Sequence, residues 1–132
     1  MKITILTVGK IKEKYFTDAI KEYTKRLIRQ KEGERLQKYI KEGAYVISLA
    51  IEGKQYPSED FSRKIHNLGL HGESHLIFVI GGSIGLDKKI LQNSNELLSF
   101  SKMTFPHQLM RVVLLEQIYR AYRIMNGEPY HK

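Results

Sequence analysis

Along its 132 residues the chain alternates short β-branched runs with stretches of helical period. Ile3-Thr4-Ile5-Leu6-Thr7-Val8, closed by Gly9, predicts a strand. Between Lys12 and about Arg29, the residues Phe16, Ile20, Tyr23 and Leu27 recur at intervals of four, three and four, which gathers them on one helical face. Leu36, Tyr39 and Ile40 keep a similar period over residues 32–41 until Gly43 stops it. Residues 45–51 are almost continuously apolar, as a strand covered on both faces tends to be. Pro57-Ser58 predicts the cap of a helix that turns Phe61, Ile65 and Leu68 inward. Residues 76–80 predict a third strand running straight into Gly81-Gly82-Ser83-Ile84-Gly85. Asp87 is placed to cap a short helix through about Asn93, residues 97–100 predict a fourth strand, and residues 106–126 a long helix ended by Gly127. No repeat, low-complexity segment or linker interrupts this order. It predicts a single α/β domain, residues 1–132, with a mainly parallel sheet.

The last predicted helix is apolar on more than one side. Met110, Leu114, Ile118, Ala121 and Met125 form one stripe, while Leu109, Val112, Leu115, Tyr119 and Tyr122 populate others. A surface helix needs one apolar face only, so a second face must meet the sheet, a ligand or another subunit. A homodimer through this helix is the expectation, against a helix doubly covered within one chain. Glu116 and Arg120, four apart, read as an ordinary helix pair.

Charge sharpens the partner. Lys and Arg number 22 against 14 Asp and Glu, a formal net charge of +8. Residues 1–42 hold 12 of those bases and 6 of the acids. Such an excess suits a polyanion such as nucleic acid, although alternating signs also describe a solvated helix face. With no cysteine there is no disulfide framework or thiol nucleophile. No apolar run approaches the roughly 18–20 residues of a membrane span, and the opening residues lack the apolar core of a secretory leader. A cytoplasmic protein with no membrane partner is expected.

Three loops carry candidate chemistry. The cluster Gly81-Gly82-Ser83-Ile84-Gly85 follows a strand, where open parallel sheets gather ligands. It is no P-loop, since Leu86-Asp87 follows Gly85, and it does not match Gly-x-Gly-x-x-Gly. The hydroxyl-rich stretch Ser99-Phe100-Ser101-Lys102-Met103-Thr104-Phe105 has backbone groups that suit the edge of an adenine and an apolar wall in Phe100, Met103 and Phe105. It reads equally as a capped strand-to-helix connection with Thr104 as N-cap. Leu49-Ala50-Ile51-Glu52-Gly53 is a third loop of similar position. Together they fit a flat aromatic cofactor better than a phosphate chain. His66, His71 and His75 lack metal-ligand spacing and read as surface residues, so no metal is expected, and Ser83 has no evident base. A group transfer that needs positioning and desolvation fits best.

These residues form a recognisable set. Val79-Ile80-Gly81-Gly82-Ser83-Ile84-Gly85-Leu86, the stretch from Leu98 to Gln108, Arg111-Val112-Val113-Leu114-Leu115-Glu116-Gln117-Ile118-Tyr119-Arg120-Ala121 and the tail Pro129-Tyr130-His131-Lys132 closely resemble the ribosomal RNA large subunit methyltransferase H family. Nearly the whole chain takes part, and the combined spacing is specific where each motif alone is not. The resemblance implies a SPOUT-type α/β fold with a C-terminal trefoil knot, which periodicity could not reveal. It implies a homodimer that uses S-adenosylmethionine to methylate N3 of a pseudouridine in 23S rRNA of the ribosome. It places cofactor contacts on Leu49, Gly81, Phe100, Ser101, Lys102, Met103, Thr104 and Phe105, and the catalytic neighbourhood of the base on Tyr130, His131 and Arg123. The N3 proton would pass to His131, Tyr130 or water. A non-catalytic rRNA-binding module and a SPOUT enzyme acting on tRNA are the alternatives. One departure stands out: family members carry an extra strand and loop after the first helix, where Leu27-Ile28-Arg29-Gln30 here joins directly to Lys31.

Overall fold

The computed structural model describes residues 1–7, 14–35, 43–81, 86 and 88–132, with no side-chain description for 28–35 and 89. The elements run β1 (Lys2–Thr7), α1 (Lys14–Arg35), β2 (Tyr45–Lys54), α2 (Ser58–Leu70), β3 (His75–Ile80), α3 (Lys88–Gln92), β4 (Glu96–Leu98) and α4 (His107–Met125). The strands form one sheet in the order β1-β3-β2-β4, and every pairing is parallel. The expected class is therefore present: a parallel sheet flanked by helices.

Register explains which residues make the core. Ile3, Ile5 and Thr7 stand opposite Leu76, Phe78 and Ile80, while Tyr45 and Ile47 stand opposite Leu76 and Phe78. The period of two puts all of these on one face. There Leu76, Phe78 and Ile80 are buried against Phe61 and Ile65 of α2 and Leu114, Ile118, Ala121 and Tyr122 of α4. Ile20, Tyr23 and Leu27 of α1 join this core, as their spacing predicts. On β2 the neighbours Ile47 and Ser48 are both buried although they point to opposite faces, so that strand is covered on both sides there. Ser48 meets this cost with a 2.6 Å hydroxyl contact to Ser94.

Several boundaries differ from the sequence reading for local reasons. β2 extends to Lys54 because Leu49 and Lys54 both register with Leu98, and the chain between them bows outward. Gly53 permits this: a Cβ there would lie 2.7 Å from the backbone carbonyl carbons of Leu97 and Leu98. β4 starts and stops earlier than expected, at Glu96 and Leu98, because the Ser99 N–H donates to the Lys54 carbonyl and its hydroxyl to the Ser101 carbonyl, turning the chain. Pro57 and Pro106 occupy the N-cap positions of α2 and α4, and neither helix has a side-chain cap bond. The Ser58 hydroxyl, expected as part of a cap, donates instead to Gln117 Oε1 at 2.8 Å, and Thr104 caps nothing. Gly127 ends α4 as expected, with φ of 65° and the Glu128 N–H donating to the Arg123 carbonyl. Val8, Gly9, Leu36, Tyr39, Ile40, Gly82, Ser83, Ile84, Gly85 and Asp87, all used in the sequence reading, lie outside the described residues.

Candidate active site

The carboxyl ends of three strands open onto one cavity of about 390 Å³. From β2 come Leu49, Ala50, Ile51 and Glu52, from β3 Ile80 and Gly81, and from the end of β4 Leu98, Ser99, Phe100 and Ser101. Met103, Thr104 and Phe105 continue the wall to His107 and Met110 at the start of α4. Seven of the eight expected cofactor residues thus meet in one place: Leu49, Gly81, Phe100, Ser101, Met103, Thr104 and Phe105. Lys102 does not line the cavity; its side chain is exposed. The wall also includes Ala50 and Leu86, which lie in stretches the sequence singled out, and Leu91 and Met110, which no candidate loop contained.

The loop after β4 is braced by its own hydroxyls. Buried Ser99 donates to the Ser101 carbonyl at 2.9 Å, and Ser101 Oγ accepts from the Met103 N–H at 2.9 Å. Apart from Glu52 and His107, the larger side chains on the wall are apolar, and Ile51, Met103 and Phe105 remain exposed at its rim, Met103 at 72%. A cleft of this volume with an apolar wall and a few polar groups matches small-molecule and cofactor pockets, which run about 300–1,000 Å³.

The other expected residues gather elsewhere. Arg123 donates to Glu128 Oε2 at 2.6 Å and to the Pro129 carbonyl at 3.1 Å, so it holds the turn that carries the tail. Tyr130 packs edge-on against Tyr119 with ring centroids 4.9 Å apart, under the Arg120 guanidinium 4.7 Å from its centroid. The Tyr130 hydroxyl donates to Glu116 Oε1 at 3.3 Å. Burial, then the Glu116 charge, push its pKa up, so the phenol stays protonated. His131 lies between Glu59 Oε1, 2.5 Å from its Nε2, and Arg120 Nη1, 3.1 Å from its Nδ1. Glu116 and Arg120 are therefore more than an ordinary helix pair: they form the anchor of the tail. No spacing rule joins Glu59 to a residue 72 positions away, and sequence reasoning missed it.

Among the histidines, His66 and His71 are exposed as expected. His75 is not a surface residue; it opens β3, half-buried, with Nε2 2.9 Å from the Thr4 hydroxyl. Among the described residues no group of three or more His, Asp or Glu is arranged to hold a metal ion, and no helix is long and apolar enough to cross a membrane.

A parallel sheet with a cofactor-sized cleft at its strand ends, followed by a braced loop and a long closing helix, defines a class. The chain belongs to the SPOUT methyltransferase family: residues 28–131 match the family model described as "Predicted SPOUT methyltransferase". Over its whole length it is similar to the Ribosomal RNA large subunit methyltransferase H of Bifidobacterium adolescentis, at 57% identity with all of both chains covered. The protein of the same name from Clostridium tetani is 52% identical at the same coverage. Both alignments run over 159 positions, so these relatives carry residues that the 132-residue chain lacks. Among solved structures, a "probable methylase family protein" from Haemophilus influenzae Rd KW20 shares the fold, with a TM-score of 0.58 at 10% identity over 98% of this chain and 69% of that one.

Proposed function

We propose that this protein, as one SPOUT domain, transfers a methyl group from S-adenosylmethionine to N3 of a pseudouridine in 23S rRNA. The observation that carries the reading is the convergence of Leu49, Gly81 and the loop from Phe100 to Phe105 on one cavity. The names of its full-length relatives point to large-subunit rRNA, and a net charge of +8 suits an RNA partner. Work on rRNA is consistent with a cytoplasmic location.

Leu49, Gly81, Phe100, Ser101, Met103, Thr104 and Phe105 would hold the adenosyl group, with Lys102 at its edge. When bound, the cofactor supplies a methyl group activated by a sulfonium. The apolar wall excludes water and the braced loop keeps its backbone donors and acceptors in place, which is positional catalysis. Of the two tail candidates for taking the N3 proton, Tyr130 is disfavoured because its environment keeps the phenol neutral. His131 and water remain, and Arg123 contributes by shaping the tail.

A homodimer completes this reading. Within one chain α4 is flanked by α1 and α2 over β3, and its residues from His107 to Met125 are all at least half-buried, which accounts for its apolar breadth. Support for a second subunit comes instead from Ile51, Met103 and Phe105, exposed at the cavity rim. Arg120, which holds the tail, stands about 15 Å along α4 from Met110 at the cavity, at 1.5 Å per residue. The tail serving each cavity is thus expected from the partner. The trefoil knot is part of the same reading and rests on the SPOUT family match alone.

Titration calorimetry with S-adenosylmethionine tests the pocket. Wild-type protein is expected to bind, and Gly81→Val to bind about tenfold or more weakly, because overpacking of about 1–3 kcal/mol falls on the cavity wall. No binding heat with wild-type protein would favour the non-catalytic RNA-binding module.

A further inference from the structure

Outside the cavity, a connected network of polar side chains surrounds the last residues of the chain. Arg120 donates through Nε and Nη2 to Glu116 Oε1 at 2.9 and 2.6 Å, which leaves Nη1 directed at His131 Nδ1, 3.1 Å away. A guanidinium has donors and no acceptor, so His131 Nδ1 must present its lone pair. On the other side of the ring Nε2 faces the Glu59 carboxylate at 2.5 Å, and an ionised carboxylate only accepts. The two contacts therefore demand the same tautomer, with the proton on Nε2. In a histidine, the partner of one nitrogen fixes the state of the other.

We propose that Glu59 and Arg120 are positioning residues that clamp His131 as its Nε2–H tautomer and so present the tail in one conformation for methyl transfer. The proposal rests on the reading that the tail belongs to the active centre. The clamp joins three separate parts of the chain. Glu59 lies in the first turn of α2, where a carboxylate is favoured by the helix dipole, and its hydrogen bond to His131 holds its pKa below the usual range. Arg120 is fixed on α4 by Glu116, which pushes its pKa further up. Glu116 Oε1 also accepts from Tyr130, so one carboxylate sets both tail rings. The side chain of His131 keeps only 24% of its exposure, and the ring cannot turn over without breaking both contacts. With Nε2–H committed to Glu59 and Nδ1 to Arg120, His131 can accept a proton only after Arg120 releases Nδ1.

The test is two-bond ¹H–¹⁵N correlation of the histidine rings in the full-length protein at alkaline pH, paired with methyl-transfer kinetics. His131 is expected to show a protonated Nε2 and a bare Nδ1. Glu59→Ala should mix the tautomers and lower kcat by on the order of 10- to 100-fold, as loss of reactive geometry does, without changing calorimetric affinity for S-adenosylmethionine. Glu59→Gln keeps an acceptor oxygen and should recover most of that loss; a merely structural contact would not separate kcat from cofactor affinity in this way. An Nδ1–H or mixed tautomer in the wild type overturns the clamp, and wild-type kcat in Glu59→Ala overturns its role. Full turnover by His131→Ala would instead sink the underlying reading of the tail, while the ring signals would still report on the clamp.

Discussion

At the scale of single residues, the cleft depends on one close approach. The segment between Leu49 and Lys54 can bow out to form a wall because Gly53 lets β2 lie against the backbone of Leu97 and Leu98. Neither backbone can yield as a flexible side chain would. Gly53→Ala is expected to cost about 1–3 kcal/mol of stability, seen as a lower thermal midpoint, and to weaken cofactor binding together with it. An unchanged midpoint would mean that the strands can separate at no cost. The sequence shows a glycine in this loop but not its reason, because the reason is backbone from residues more than forty positions away. Ser99 and Ser101 illustrate the same limit. Their hydroxyls were legible as a turn-forming, ligand-compatible pattern, and the structure spends both on bracing the loop.

At the scale of elements, β4 is a strand of three residues and needs support beyond its ladder. Glu96 provides it: its carboxylate accepts from the Tyr56 hydroxyl and pairs with Lys64 of α2 at 3.1 Å, tying β4 to its neighbours under the loop that forms the cavity wall. Burial first, then the bond to Glu96, push the Tyr56 phenol far above its usual pKa. The fold therefore favours the neutral phenol. That stabilisation is complete below the ordinary tyrosine value near 10 and is lost as pH rises past it toward the folded value. Denaturant midpoints measured between about pH 9 and 11 should fall more steeply for the wild type than for Tyr56→Phe. Parallel slopes would remove Tyr56 from the linkage. Among the described residues the element order was legible, because β-branched runs and four-three-four spacing report burial directly. Element ends were less so: β2 gained residues from a second pairing with Leu98, and α4 begins at His107 with Pro106, not Thr104, before it.

At the scale of the whole molecule, two groups of candidate residues stand apart on one chain, those lining a cleft at the strand ends and those of the tail held against α2 and α4. The sequence marked the residues of both, since glycines, hydroxyls and the terminal Tyr-His pair are visible as types. It could not show that Glu59, Glu116 and Arg120 converge on His131 and Tyr130, because no periodicity links a helix start to a chain end. A cleft of one protomer served by the tail of another requires association. Sedimentation velocity is expected to show a dimer, which Met103→Asp with Phe105→Asp at the exposed rim should weaken; a monomeric wild type would leave tail and cleft apart. The most direct test of the account is methyl transfer itself. Given S-adenosylmethionine labelled in its methyl group, ribosomes and free tRNA, the protein should label 23S rRNA alone, with the methyl on N3 of a pseudouridine when the digested RNA is analysed by mass spectrometry. Labelled tRNA, or ribosomes left unlabelled by protein that binds the cofactor, would contradict it.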